Sequence, residues 1–115
     1  MKIKTDFVTN SSSTAYVIQN TSDKKLTLAD FALENIDLLD KFLDQFDWYK
    51  DDSRYTKVNL LESAAREGIE FKSGEAIRCV FGDEQMTVVG CVYDYILRDG
   101  GQSENFLWRY QEALR

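Results

Sequence analysis

Histidine is absent from this sequence, and so is proline. Without histidine there is no Ser-His-Asp or Cys-His catalysis, none of the usual zinc sites and no ready general base near neutral pH. Without proline, turns fall to Gly, Asn, Asp and Ser, and no cis-proline step slows folding. Cysteine is scarce: Cys79 and Cys91 each sit inside apolar stretches and read as buried thiols rather than a disulfide. No apolar run approaches the ~18–20 residues of a membrane span, and charged Lys2, Lys4 and Asp6 stand where a signal peptide needs an apolar core. The expectation is a cytoplasmic protein, in which the sequons Asn10-Ser11-Ser12 and Asn20-Thr21-Ser22 carry no glycan.

What is present suffices for one globular domain spanning residues 1–115. Hydrophobic residues make up 43% of the chain, which separates it from sequences too polar and charged to fold. Seven Phe, six Tyr and two Trp predict an aromatic core.

Local patterns predict the elements. Residues 2–8 (KIKTDFV) and 14–19 (TAYVIQ) read as two strands of a hairpin joined by Asn10 to Ser13, whose side chains can bond their own backbone. Thr27 with Asp30 three residues on forms a capping-box pattern. Beyond it Leu28, Phe31, Ala32, Leu38, Leu39, Phe42, Leu43 and Phe46 make a helical stripe running to about Trp48. Leu33 and Ile36 lie off that stripe, so either the helix breaks near Asn35 or a second element covers them.

Thr56 or Asn59 caps a shorter helix ending at Gly68. A short strand at 69–72 and a firmer one at 76–81 (AIRCVF) follow. Over 84–98 the residues Val88, Val89, Val92, Tyr93, Ile96 and Leu97 fit a helical stripe, while their β-branched content leaves a strand open; helix is the favoured reading. Ser103 is predicted to cap a last helix, ENFLWRYQEAL, with Phe106, Leu107, Tyr110 and Leu114 facing inward. The fold class expected is α+β: a small, mainly antiparallel sheet, from the N-terminal hairpin plus a strand near 76–82, packed against about four helices.

Charge is the clearest signal. Asp30, Glu34, Asp37, Asp40, Asp44, Asp47, Asp51 and Asp52 face only Lys41 and Lys50 between residues 30 and 52, a local net charge of −6 equal to that of the whole chain. Helical spacing places most of these carboxylates opposite the apolar stripe, as a continuous ridge. A solvated outer face accounts for such a ridge in most proteins. The functional reading is a surface that docks on a basic groove, with Asp37, Asp40, Asp44, Asp47, Trp48 and Asp51 as the partner-binding residues. The same charge disfavours direct nucleic-acid binding. No calcium loop of the Asp-x-Asp-x-Asp-Gly kind is present, so neither a metal nor any other cofactor is expected.

The stretch DFVTNSSSTAYV has neither a Gly-x-Ser-x-Gly elbow nor a phosphate loop, and no catalytic residue is assigned to its serines. Phe7, Val8, Thr9, Asn10, Ser11, Ser12 and Ser13 resemble an N-terminal signature, a Phe-Val-Thr/Ser-Asn followed by a serine run, that begins many uncharacterised phage and bacterial proteins. Thr14 and Ala15 depart from it, because the serine run is usually longer, and Tyr16 stands where Phe is commoner. The resemblance implies a phage or mobile-element setting, in which small acidic proteins often inhibit host machinery. The expected function is a non-enzymatic accessory protein that binds and modulates a host protein with a basic surface, for example a defence or nucleic-acid-handling effector. The alternative is a homo-oligomeric assembly protein, and an enzyme built on carboxylates and the serine loop ranks behind both.

Overall fold

The computed structural model describes residues 13–82 and 87–114. Elements follow in the order β1 (Ser13–Asn20), β2 (Leu26–Thr27), α1 (Leu28–Glu34), α2 (Asp37–Gln45), a 3-10 turn (Asp47–Tyr49), α3 (Lys57–Arg66), β3 (Glu70–Phe71), β4 (Ala76–Gly82), α4 (Val88–Ile96), β5 (Gly101–Gln102) and β6 (Phe106–Leu114). The architecture is α+β, with a four-stranded antiparallel sheet in the order β4-β1-β6-β5 and a two-stranded sheet of β2 and β3. No helix among the described residues is long and apolar enough to cross a membrane.

The local signals set most boundaries. Thr27 and Asp30 form the reciprocal capping box of α1, the Thr27 hydroxyl accepting from the Asp30 N–H and the Asp30 carboxylate from the Thr27 N–H. The apolar stripe does break at Asn35, whose N–H and side-chain amide both return to the Phe31 carbonyl and close α1. Thr56, rather than Asn59, caps α3. Beyond α3, Gly68 takes φ +68°, a left-handed conformation that glycine adopts without steric cost. Residues 88–96 are helix, capped by Thr87.

The first arm of the expected N-terminal hairpin, residues 2–8, lies outside the described residues, as do Phe7 to Ser12 of the signature. Its second arm is β1, which pairs with β4 on one side and β6 on the other. The last helix is overturned: residues 101–114 form a β-hairpin. Ser103 caps nothing there; its N–H donates to the Phe106 carbonyl across the turn. Phe106 and Trp108 are buried while Leu107 is exposed, the period of a strand rather than a helix. The strand forms because β1 offers it a partner from Ser13↔Leu114 to Asn20↔Phe106, interrupted by one bulge near Tyr16. Gly101 has a different role from Gly68, since a Cβ there would stand 2.5 Å from the Trp108 ring.

The core lies between the sheet and the helices. Thr14, Tyr16, Ile18 and Asn20, alternate residues of β1, are fully buried, and α4 packs over β4 and β1. Phe31 sits at the middle of the packing, its ring set edge-on at 5.2–5.5 Å to Tyr93, Phe106 and Trp108. A second aromatic group, Phe42, Phe46, Tyr49, Tyr55 and Tyr95, joins α2 and the 3-10 turn to α4. Cys79 and Cys91 are free and buried, and burial pushes the Cys79 thiol up to about 12.

Candidate functional site

The acidic ridge divides once its side chains are located. Asp30 is engaged in the capping box. Asp52 accepts two bonds from Arg54 Nε and one from Nη2 at 2.7 Å, and the guanidinium holds its carboxyl down at about 2. Glu34 faces back into the fold: it accepts from the Ser103 hydroxyl, from the Asn105 N–H at 2.8 Å and from the Asn105 side chain at 2.7 Å. These three carboxylates therefore serve the fold.

The other five form the outer surface. Asp37, Asp40 and Asp44 are exposed on α2, Asp47 is exposed at the 3-10 turn and Asp51 just beyond it. Asp44 lies 3.8 Å from Lys50, with both side chains mostly in solvent, a pair worth at most about 1 kcal/mol. Asp37, Asp40, Asp47 and Asp51 make no ion pair among the described residues. Trp48, which follows Asp47 directly and precedes Asp51 by three residues, is 66% exposed. Its ring is backed by Phe46 at 5.4 Å and Tyr49 at 5.7 Å, the outer members of the second aromatic group. All six residues expected at a partner surface are thus exposed on consecutive elements.

The Glu34 anchor makes a testable electrostatic prediction. Burial acts to raise its pKa, but the donors from Ser103 and Asn105 outweigh it and hold the carboxyl below the usual 4.5. A group whose folded pKa is depressed contributes stability that is complete above the unfolded value and is lost as pH falls through the folded one. The stability difference between wild type and Glu34→Gln should accordingly be constant above about pH 4.5 and shrink on further acidification. Denaturant titrations across that range check it; a difference independent of pH would refute the anchor.

A second polar group went unrecognised in the sequence. Asp94 on α4 is fully buried, and its carboxylate accepts from the Thr14 hydroxyl at 2.7 Å. Arg98, one turn on, lies 3.8 Å from that carboxylate and donates to the Thr14 oxygen and to the Asp94 carbonyl, both at 3.1 Å. The Tyr16 hydroxyl donates to the same carbonyl at 2.8 Å, and burial pushes its pKa up to about 12. This cluster pins α4 to β1. The available signal was an aspartate within the otherwise apolar segment of α4, four residues before an arginine.

A hollow of about 270 Å³ lies between α3 and the start of α4, lined by Arg54, Asn59, Glu62, Ser63, Arg66 and Thr87 among others. Its hydroxyls are engaged, Ser63 accepting from the Val89 N–H and Thr87 from the Gly90 N–H. Burial raises the pKa of Tyr49 and Tyr55 in the aromatic group. Both stay protonated and supply no base at neutral pH. Among the described residues no three Cys, Asp or Glu side chains converge as metal ligands. No protein-family model matches this chain, and neither does any curated protein or solved structure.

Proposed function

We propose that this protein is a non-enzymatic interaction protein whose acidic face, Asp37, Asp40, Asp44, Asp47, Trp48 and Asp51, binds a protein with a basic surface. The observation that carries the reading is Trp48. A face kept acidic only for solubility needs carboxylates and water, whereas an indole two-thirds exposed next to Asp47, on the elements that carry the unpaired carboxylates, offers an apolar anchor beside the charge. That arrangement suits a protein hot spot, in which a central aromatic is desolvated and the surrounding charge sets orientation and on-rate. The net charge of −6 supports a basic protein partner over nucleic acid. The N-terminal signature supports a phage or mobile-element setting in which that partner is a host protein.

The test is a capture from nuclease-treated bacterial lysate with wild type, Asp40→Lys/Asp47→Lys and Trp48→Ala in parallel, followed by titration of the captured protein at several salt concentrations. Wild type should retain one stoichiometric partner. The charge-reversed variant should bind at least about tenfold more weakly with a flatter salt dependence, and Trp48→Ala should lose affinity without that flattening. Equal affinity of all three for the same partner would remove the acidic face from the reading.

A further inference from the structure

The hollow of about 270 Å³ between α3 and the start of α4 takes no part in the acidic face. Its two hydroxyls act toward the protein only as acceptors. Ser63, 7% exposed, accepts from the Val89 N–H at 3.1 Å, and Thr87 accepts from the Gly90 N–H at 3.0 Å. A hydroxyl that accepts from an amide turns its own hydrogen away from that amide, and among the described residues neither hydroxyl donates a bond. The N–H of Val88, the first residue of α4, also lacks an acceptor there. These three donors belong to residues that line the hollow, where α4 presents the positive end of its dipole. Burial denies the Ser63 hydroxyl an easy exchange with water, and a buried donor left unsatisfied is costly. An acceptor entering the hollow removes that cost.

The charged residues of the lining decide what kind of molecule brings the acceptor. Arg54 is already held by Asp52. Arg66, Glu62 and Glu67 are exposed, and none of the three forms an ion pair among the described residues. Glu62 and Arg66 stand four apart on α3, the spacing at which opposite charges on a helix ordinarily meet, yet both remain available to the hollow. A simple anion would gain Arg66 and the helix N-terminus but face two carboxylates. A simple cation would gain the carboxylates but face the arginine and the unsatisfied donors. A small molecule carrying both charges answers all of them. The volume lies just below the ~300–1,000 Å³ typical of sites for drug-sized ligands, which suits a compact solute.

We propose that this hollow binds a free amino acid as its zwitterion. The carboxylate takes the bonds offered by Ser63, Thr87 and Arg66 at the start of α4, and the ammonium lies against Glu62 and Glu67. The site is built on α3 and α4, apart from the acidic face on α2 and the 3-10 turn.

Amide NMR spectra of the whole protein test the site, recorded during titration with each standard amino acid at millimolar concentration and, separately, with acetate and with methylammonium. At least one amino acid should shift the amides of Ser63 and of Val88 to Gly90 saturably. Acetate and methylammonium, which each supply only one of the two charges, should bind at least about tenfold more weakly than that amino acid. Arg66→Gln and Glu62→Gln should each weaken its binding at least about tenfold; both side chains are exposed, and unchanged amide shifts elsewhere confirm that the variants are folded. Binding by no amino acid overturns the proposal and leaves the hollow to water. Acetate binding as tightly as the amino acid overturns it in favour of a plain anion site. Affinity indifferent to either substitution, or shifts confined to other residues, overturns it as well.

Discussion

Replacing Phe31 by alanine should lower the unfolding free energy by about 3–5 kcal/mol. The side chain is fully buried, and its ring is the one that meets α4 through Tyr93 and β6 through Phe106 and Trp108. Deleting it removes transfer free energy and three edge-on ring contacts, each worth about 0.5–1.5 kcal/mol beyond area. The cavity left behind has little means of collapsing, since Phe106 and Trp108 are fixed by the pairing of β6 with β1 and Phe106 also packs on Phe71. Against a total stability of about 5–15 kcal/mol for a domain of this kind, the variant should stand near its folding threshold. Urea unfolding should show the midpoint falling at unchanged slope. A loss below about 1 kcal/mol would mean that the sheet and helices do not meet at this ring.

The second large effect concerns Asp94. Asp94→Ala should cost about 3 kcal/mol, the lower end of the range for removing one member of a buried ion pair, because the Arg98 side chain is 38% exposed and can turn its charge to water. Thr14→Val should also destabilise, since it leaves the buried carboxylate without its 2.7 Å donor. The double variant should cost clearly less than the two single losses added together, as both delete parts of one network. Denaturation of the three variants provides the cycle. Strict additivity would show that Thr14 and Asp94 act independently.

The sequence disclosed those features whose causes are local. Thr27 with Asp30, Thr56 and Gly68 mark helix boundaries through bonds spanning a few residues, and Ile77, Val80 and Phe81 in the segment 76–81 need no distant information to read as a strand. Residues 103–114 misled for the same reason. Phe106, Leu107, Tyr110 and Leu114 fit a helical stripe, Phe106, Trp108 and Tyr110 fit a strand, and the choice is made by the open side of β1, far away in the chain. The ridge carboxylates were legible from spacing alone, but their division into structural and free was not. Glu34 belongs to the fold only because Ser103 and Asn105 come to it from 69 and 71 residues away. Asp94 stands as a lone acid in the apolar segment 88–96, but its partner Thr14, which gives it a role, lies 80 residues off.

The strand order carries a kinetic consequence. β1 is central, yet both its neighbours come much later in the chain, with Gln19 paired to Ala76 and Asn20 to Phe106. Bringing such segments together means closing loops of roughly 55 and 85 residues before any ladder bond repays the lost entropy. Topologies rich in contacts of this range fold more slowly than helical bundles of equal size. On the ribosome, Tyr16 and Ile18 leave the tunnel long before Trp108 exists to cover them. For that interval the nascent chain carries an unpaired apolar strand, the period in which a chaperone would have most to hold.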